Sequence, residues 1–169
     1  MGDMRAIQVE KVVVNIGVGE AGDKLVKAQK VLDLVTKRKS VQTLSHQAVR
    51  EWGVRRNMPI GARVTLRGLP AEAFLKEAFE IRSRRLPAYS FDPRGNFSFG
   101  VQAYTDFPGM KYDPEIGVFG MDVSVSLMRP GWRVARRSVK PRPIAAHHRI
   151  TRADGIAFIK DHFKVEVVE

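Results

Sequence analysis

A strand that runs through a glycine-rich turn into a helix constrains this chain more than any other feature. The stretch from Arg5 to Lys37 reads RAIQVEKVVVNIGVGEAGDKLVKAQKVLDLVTK. Residues 7–16 predict a strand whose second half alternates, with Val12, Val14 and Ile16 on one face and Lys11, Val13 and Asn15 on the other. The helix that follows carries Leu25, Ala28, Leu32 and Val35 on one stripe. One strand face is therefore supplied with a core and a covering helix. The other face carries an ammonium, an amide and a single valine, and needs a different explanation.

The turn Gly17-Val18-Gly19-Glu20-Ala21-Gly22 spells G-x-G-x-x-G between strand and helix, the dinucleotide fingerprint. Its surroundings argue against that use. Glu20 sets a carboxylate where a pyrophosphate would sit at the helix N-terminus. The acidic ribose partner expected further on is replaced by Lys37-Arg38-Lys39-Ser40. The next strand also alternates, whereas a buried parallel strand is continuously apolar. The glycines are better explained by a tight turn that needs positive φ.

Charge is the strongest global signal. The 169 residues carry a formal net charge of +11, and the charge is clustered. Residues 36–67 contain Lys37, Arg38, Lys39, Arg50, Arg55, Arg56, Arg63 and Arg67 against Glu51 alone. Residues 129–152 contain Arg129, Arg133, Arg136, Arg137, Lys140, Arg142, Arg149 and Arg152 with no acid, while residues 102–128 are net acidic. Clustered cations are the footprint of a polyanionic partner, most often nucleic acid. A hydrophobic fraction of 44% can bury a core, and the absence of cysteine removes disulfides and thiolate metal sites. No apolar run is long enough to span a membrane, so a soluble chain with no membrane partner is expected.

Further along, residues 41–49 predict a second strand, with Thr43 and Ser45 on one face and Leu44 on the other. Residues 51–61 have no period and read as a long hairpin tip, basic and apolar at once through Arg55, Arg56, Met58, Pro59 and Ile60. Such a tip suits a contact finger; equally, Met58 and Ile60 could tuck beneath the loop. Residues 62–68 alternate as a strand with Arg63, Thr65 and Arg67 outward. Leu69-Pro70 opens a second helix with Ala71, Phe74, Leu75, Ala78 and Phe79 inward, and Leu86-Pro87 closes it. Asp92-Pro93-Arg94-Gly95 is a turn, residues 97–103 and 119–127 are strands, and residues 106–117 form a loop with two prolines. Residues 130–149 are irregular, either a β-ribbon arm or a tail that orders on binding. Thr151 and Asp154 spell a capping-box variant that starts a third helix lined by Ile156, Ile159 and Phe163. Residues 164–168 can end as an edge strand.

These elements predict an α+β fold: an antiparallel sheet with helices packed on one face, the opposite polar face for RNA, and long basic loops. A single domain over residues 1–169 is expected, with residues 129–150 a basic irregular arm. The outward strand positions are Lys11, Asn15, Thr43, Ser45, Arg63, Thr65, Arg67, Ser98, Gln102, Ser124 and Ser126, with Asp122 the lone acid. Hydroxyls, amides and cations suit phosphates and 2′-hydroxyls. There is no aromatic platform for stacking single-stranded bases, so the face suits a folded RNA read by shape.

Catalysis finds little support. Asp106, Asp113 and Glu115 could be imagined as an acid pair of a nucleic-acid-acting enzyme, but they lie in a Pro/Gly loop beside Lys111 and favour turn-forming roles. His147-His148 point apart on regular structure and have no third ligand in view; His46 and His162 read as surface groups. Neither an enzymatic activity, a cofactor nor a metal is expected.

The motifs VEKVVVNIGVGEAGDKL, GVRRNMPIGARVTLRG, GNFSFG, FPGMKYDPEIGVFGMDV and HHRIT, in order over nearly the whole chain, resemble the 5S-rRNA-binding ribosomal proteins of the large subunit (protein five of that subunit); RPGWRVARR resembles the archaeal and eukaryotic branch, and the rest resembles the archaeal type. The resemblance implies a structural constituent of the cytoplasmic ribosome that binds 5S rRNA and large-subunit rRNA and helps attach 5S rRNA in the central protuberance. It implies RNA contacts at Lys11, Asn15, Thr43 and Thr65. Arg63 and Arg67 share their outward face. The family's Gly-Gln-Lys-Pro-like run is here Lys37-Arg38-Lys39-Ser40, with Arg38 the cation that can replace the glutamine contact. The finger RRNMPIG implies P-site tRNA contacts by Arg55, Arg56, Asn57, Met58 and Pro59. The loops at Arg94 and Tyr112 imply an inter-subunit bridge to a small-subunit protein, among other neighbouring ribosomal proteins. The segment Ser45-His46-Gln47-Ala48-Val49 departs from the family's lysine-bearing version.

Overall fold

The apolar alternation of the first strand is realised in a computed structural model, which describes residues 3–168. Strand β1 (Gln8–Gly17) buries Val12, Val14 and Ile16 and leaves Lys11 and Asn15 half-buried. Helix α1 (Asp23–Thr36) buries Leu25, Ala28, Val31, Leu32 and Val35. Strands β2 (Val41–Leu44), β3 (Pro59–Leu66), β5 (Phe97–Val101) and β6 (Met121–Met128) complete a five-stranded antiparallel sheet in the order β2-β3-β1-β6-β5. Between β3 and β5 lie helix α2 (Leu69–Ile81) and strand β4 (Arg85–Pro87). The short helix α3 (Arg133–Arg136), helix α4 (Arg152–Phe163) and strand β7 (Glu166–Val168) follow β6. The architecture is α+β, as the alternating and amphipathic stretches predict.

The chain forms two compact units. One comprises Val13–Leu66 and Phe99–Val123. Within it α1 packs on β3, and β2 pairs antiparallel with β3 through Val41↔Arg63 and Thr43↔Gly61. Gly61 is obligatory there: a Cβ would stand 2.8 Å from the Ile16 carbonyl oxygen and 2.8 Å from Thr43 Oγ1. Tyr104 is only 1% exposed, and its phenol oxygen accepts the Asp113 amide at 3.2 Å, pinning the 106–117 loop to the core.

The other unit comprises the chain up to Val12, Arg67–Ser98 and everything from Ser124 onward. Its core holds α2 through Phe74, Leu75 and Phe79, with the Phe79 ring stacked on Phe97 and edge-on to Phe163. The capping box at Thr151 is present: its Oγ1 accepts the Asp154 amide at 3.3 Å, and Asp154 Oδ2 accepts the Thr151 amide at 3.1 Å. Gly155 lets α4 approach the 92–95 turn; a Cβ there would stand 2.6 Å from the Gly95 carbonyl oxygen.

Several boundaries differ from expectation, each for a local reason. The second strand ends at Leu44, where the register shifts, rather than at residue 49. It is an edge strand, so Leu44 stays 50% exposed instead of facing a core. β3 begins at Pro59, within the expected hairpin tip, because Pro59 pairs with Leu44. Leu86-Pro87 does not merely close α2: Arg85–Pro87 pairs in parallel with Glu166–Val168 in a separate two-stranded sheet. The strands expected over 97–103 and 119–127 are Phe97–Val101 and Met121–Met128. Residues 130–149 contain no strand, hence no β-ribbon; they hold α3 and one turn of 3-10 helix at Ala146–His148.

Candidate nucleic-acid interface

Strand parity decides which side chains are offered to a partner. In the unit built on α1 and β3, Arg63 and Thr65 are exposed, and Asn15 and Thr43 are half-buried. Arg63 and Thr65 stand opposite in parity to the buried Ala62, Val64 and Leu66. Asn15 alternates with Val14 and Ile16 in the same way. None of the four is a carboxylate. Arg38 is exposed just after α1. Its loop is held by Asp33 Oδ1, which accepts the Ser40 amide at 2.6 Å, and by Lys37 in the left-handed region that ends the helix.

The finger has a defined backbone. The Ser45 amide donates to the Met58 carbonyl and the Asn57 amide to the Ser45 carbonyl, both at 2.9 Å, and Val49 bridges Val54. Asn57 adopts φ 63°, a conformation asparagine tolerates better than most residues. Arg55, Arg56 and Asn57 are exposed, whereas Met58, Pro59 and Ile60 are half-buried. Trp52, which the sequence did not single out, is 75% exposed. Tyr112 is 58% exposed in the loop that Tyr104 anchors.

In the other unit lie Lys11, half-buried, and Arg67 and Arg94, both exposed. Arg94 sits on the turn that Asp92 organises, its amide donating to Asp92 Oδ1 at 2.9 Å. Arg67 lies just past β3 and reaches Glu10: Nη1 is 3.4 Å from the Glu10 carbonyl oxygen and 3.7 Å from Oε1. Glu10 is the residue that sequence reasoning missed. Its side chain is 5% exposed; Ser126 Oγ donates to Oε2 at 2.9 Å, and Arg136 of α3 pairs with both carboxylate oxygens. Ser126, expected to face a partner, is thus engaged within the protein. Burial pushes the Glu10 carboxyl up, but the hydrogen bonds from Arg136 and Ser126 and the charges of Arg136 and Lys11 outweigh it, leaving the group below its ordinary value. The signal was available: Glu10 shares parity with Val12, Val14 and Ile16, and the segment after β6 supplies cations without acids.

Local bonding lends no support to either enzymatic alternative. The Val18 and Gly19 amides of the glycine turn both donate to the Ile60 carbonyl, at 3.0 and 2.8 Å, and Glu20 pairs with Lys24. These amides are spent on the protein rather than aimed at a pyrophosphate. Asp113 Oδ1 accepts the Glu115 amide at 2.9 Å, a turn-forming use. Among the described residues no group of three or more His, Cys, Asp or Glu is placed to hold a metal ion, and no helix is long and apolar enough to cross a membrane.

Comparison with known proteins gives this arrangement its context. A family model described as Ribosomal protein L5 matches residues 3–55, and one described as the C-terminus of the same ribosomal family matches residues 59–158. The second alone spans more than half of the chain. This chain belongs to the ribosomal protein L5 family. The large ribosomal subunit protein uL5 of Thermoplasma volcanium is 47% identical over 169 residues, covering 99% of both chains. That of Sulfurisphaera tokodaii is 48% identical over 167 residues (98% of this chain, 94% of the relative), and that of Methanoregula boonei 44% over 164 (97% and 99%). The chain is thus an L5-family ribosomal protein of the large subunit, of archaeal type, and the family is structural rather than enzymatic.

Proposed function

We propose that this L5-family chain binds 5S rRNA, together with large-subunit rRNA, and helps attach it in the central protuberance. The observation that carries the reading is the free, carboxylate-poor set of polar strand side chains. Asn15, Thr43, Arg63 and Thr65 offer an amide, two hydroxyls and a guanidinium toward solvent, with Arg38 exposed after α1. Lys11 and Arg67 are the further candidates, and Arg67 keeps more than half its side chain exposed while touching Glu10. This is chemistry for phosphates and 2′-hydroxyls of a folded RNA rather than for stacking bases.

Two further contacts belong to the same proposal. The finger presents Arg55, Arg56 and Asn57 beside half-buried Met58 and Pro59, a rigid basic tip suited to the backbone of P-site tRNA. Arg94 and Tyr112, each exposed on a turn or anchored loop, are the candidates for a bridge to a small-subunit protein.

A filter-binding titration against purified 5S rRNA at several salt concentrations tests the reading. The parent should bind with a steep negative salt slope. Asn15→Ala and Thr65→Ala should both weaken it, and Arg55→Ala should not. A slope near zero, or equal binding by all variants, removes the strand side chains from the interface.

A further inference from the structure

Helix α4 and strand β7 border an open groove of about 510 Å³, lined by Lys160, Lys164 and the run from Val165 to Val168, all within one unit. Its floor is a sheet edge. The Glu166 amide donates to the Arg84 carbonyl at 2.8 Å, so the polar backbone groups of Glu166 face β4. Backbone direction alternates along a strand. The Val167 amide and carbonyl therefore face the opposite way, along an edge that no strand pairs among the described residues. The outer edge of β4 is different. There the Arg85 amide is spent on the Arg82 carbonyl at 3.1 Å, and Pro87 has no N–H. The small sheet is closed to a further strand on the β4 side and open to one on the β7 side.

The charge around the open edge narrows what can lie there. Lys160, in the last turn of α4, and Lys164, its C-terminal cap, are both exposed. Glu166 is the only acid lining the groove, and its carboxylate already pairs with Arg85 at 3.4 Å. Val168 is 50% exposed and Val167 half-buried, so the edge also offers methyl groups. A second copy of this chain, with net charge +11, would bring lysine against lysine. A nucleic-acid phosphate has no donor for the Val167 carbonyl and no use for the valines. An extended acidic peptide uses every one of these groups: its backbone supplies donor and acceptor, its apolar side chains meet the valines, and its carboxylates meet the lysines. We propose that the outer edge of β7 docks an extended acidic segment of a partner protein as a third strand, with Lys160 and Lys164 selecting its charge. The site takes a protein rather than RNA and does not rest on the 5S rRNA reading.

The test is an NMR titration of the full chain, followed at its backbone amides, with a heptapeptide of alternating valine and glutamate and blocked termini. Resonances of residues 165–168 should shift saturably, and exchange of the Val167 amide with solvent should slow. The same peptide with lysine for glutamate should bind about tenfold more weakly, as loss of two exposed ion pairs would cause. Methylating every amide nitrogen of the glutamate peptide keeps its charge and should abolish binding. Lys160→Glu/Lys164→Glu should reverse the preference, so that the lysine peptide becomes the tighter ligand, a gain that misfolding does not produce. Unmoved resonances at 165–168, equal binding of the methylated peptide, or a glutamate preference that survives the double reversal overturns the proposal. Shifts confined to the surroundings of Asn15 and Thr65 also overturn it, since they put the peptide on the strand side chains assigned to RNA.

Discussion

Two sets of polar strand side chains, one in each unit, have met opposite fates. Asn15, Thr43, Arg63 and Thr65 stand on β1, β2 and β3 without a carboxylate among them, exposed or half-buried. Ser126, by contrast, comes from a strand of the same alternating pattern, yet it is bound to Glu10 together with Arg136 and Arg67. The difference is one acid. A buried carboxylate gathers the hydroxyl and cations around it, whereas the same residue types without an acid remain available to a phosphate. Residue type alone therefore does not make an RNA-binding surface; what matters is whether the protein has already supplied the anion.

The largest effect should come from the open set. The double variant Asn15→Ala/Thr65→Ala is expected to lower 5S rRNA affinity by about 30- to 160-fold, as loss of two interface hydrogen bonds of about 1–1.5 kcal/mol each would. Its thermal midpoint should stay unchanged, since neither side chain is in the core. A fall in midpoint instead would make these residues structural.

Next comes the closed set. Glu10→Gln should lower unfolding free energy by about 1.5–3 kcal/mol in denaturant titration, the range for hydrogen bonds to a charged group. It should leave binding to folded 5S rRNA within about twofold, the margin for a group outside the contact. The pH dependence has a definite sign. The folded Glu10 value is lowered, so its contribution is fully present above the unfolded value of about 4.3 and is lost as pH falls through the folded value. Glu10→Gln should lack that part of the acid transition.

Smaller again is the cap. Asp154 is held below its ordinary value by the Thr151 amide first, with the Thr151 hydroxyl and Arg129 adding to it against burial. Thr151→Ala should cost about 1 kcal/mol by the same denaturant measurement. The smallest effect is expected at Arg63→Ala. Affinity for 5S rRNA should fall about three- to fivefold at moderate salt, and the slope of log affinity against log salt should flatten by about one. A slope that does not change would place Arg63 outside the phosphate contacts and narrow the open set to its uncharged members.

Much of this was legible in the sequence wherever a period ran long enough. Alternation over residues 62–68 and 119–127 matched β3 and β6 to within a few residues, and the capping box at Thr151 and the buried face of α2 are as their residues predict. Short pairings were not legible. Three residues at Arg85–Pro87 carry no period, and their partner Glu166–Val168 lies far along the chain. The extent of β2 was missed because alternation continues past Leu44, while the backbone bends at His46 and Gln47, where the Ser45 hydroxyl donates to the Gln47 carbonyl at 2.6 Å. At the candidate interface, exposure followed parity correctly for Arg63 and Thr65. Ser126 could not be judged from parity, because its partner comes from another strand and is fixed by an arm with no period of its own.

The β4–β7 pairing also bears on the order in which the protein can be made. The unit holding α2 is assembled from the first dozen residues, a middle segment and the stretch after Ser124, and β4 waits for residues 166–168. The unit holding α1 and β3 draws on nothing beyond Val123. During synthesis the second can close while the first still lacks a strand, so the Glu10 carboxylate stays without Arg136 until translation has passed α3.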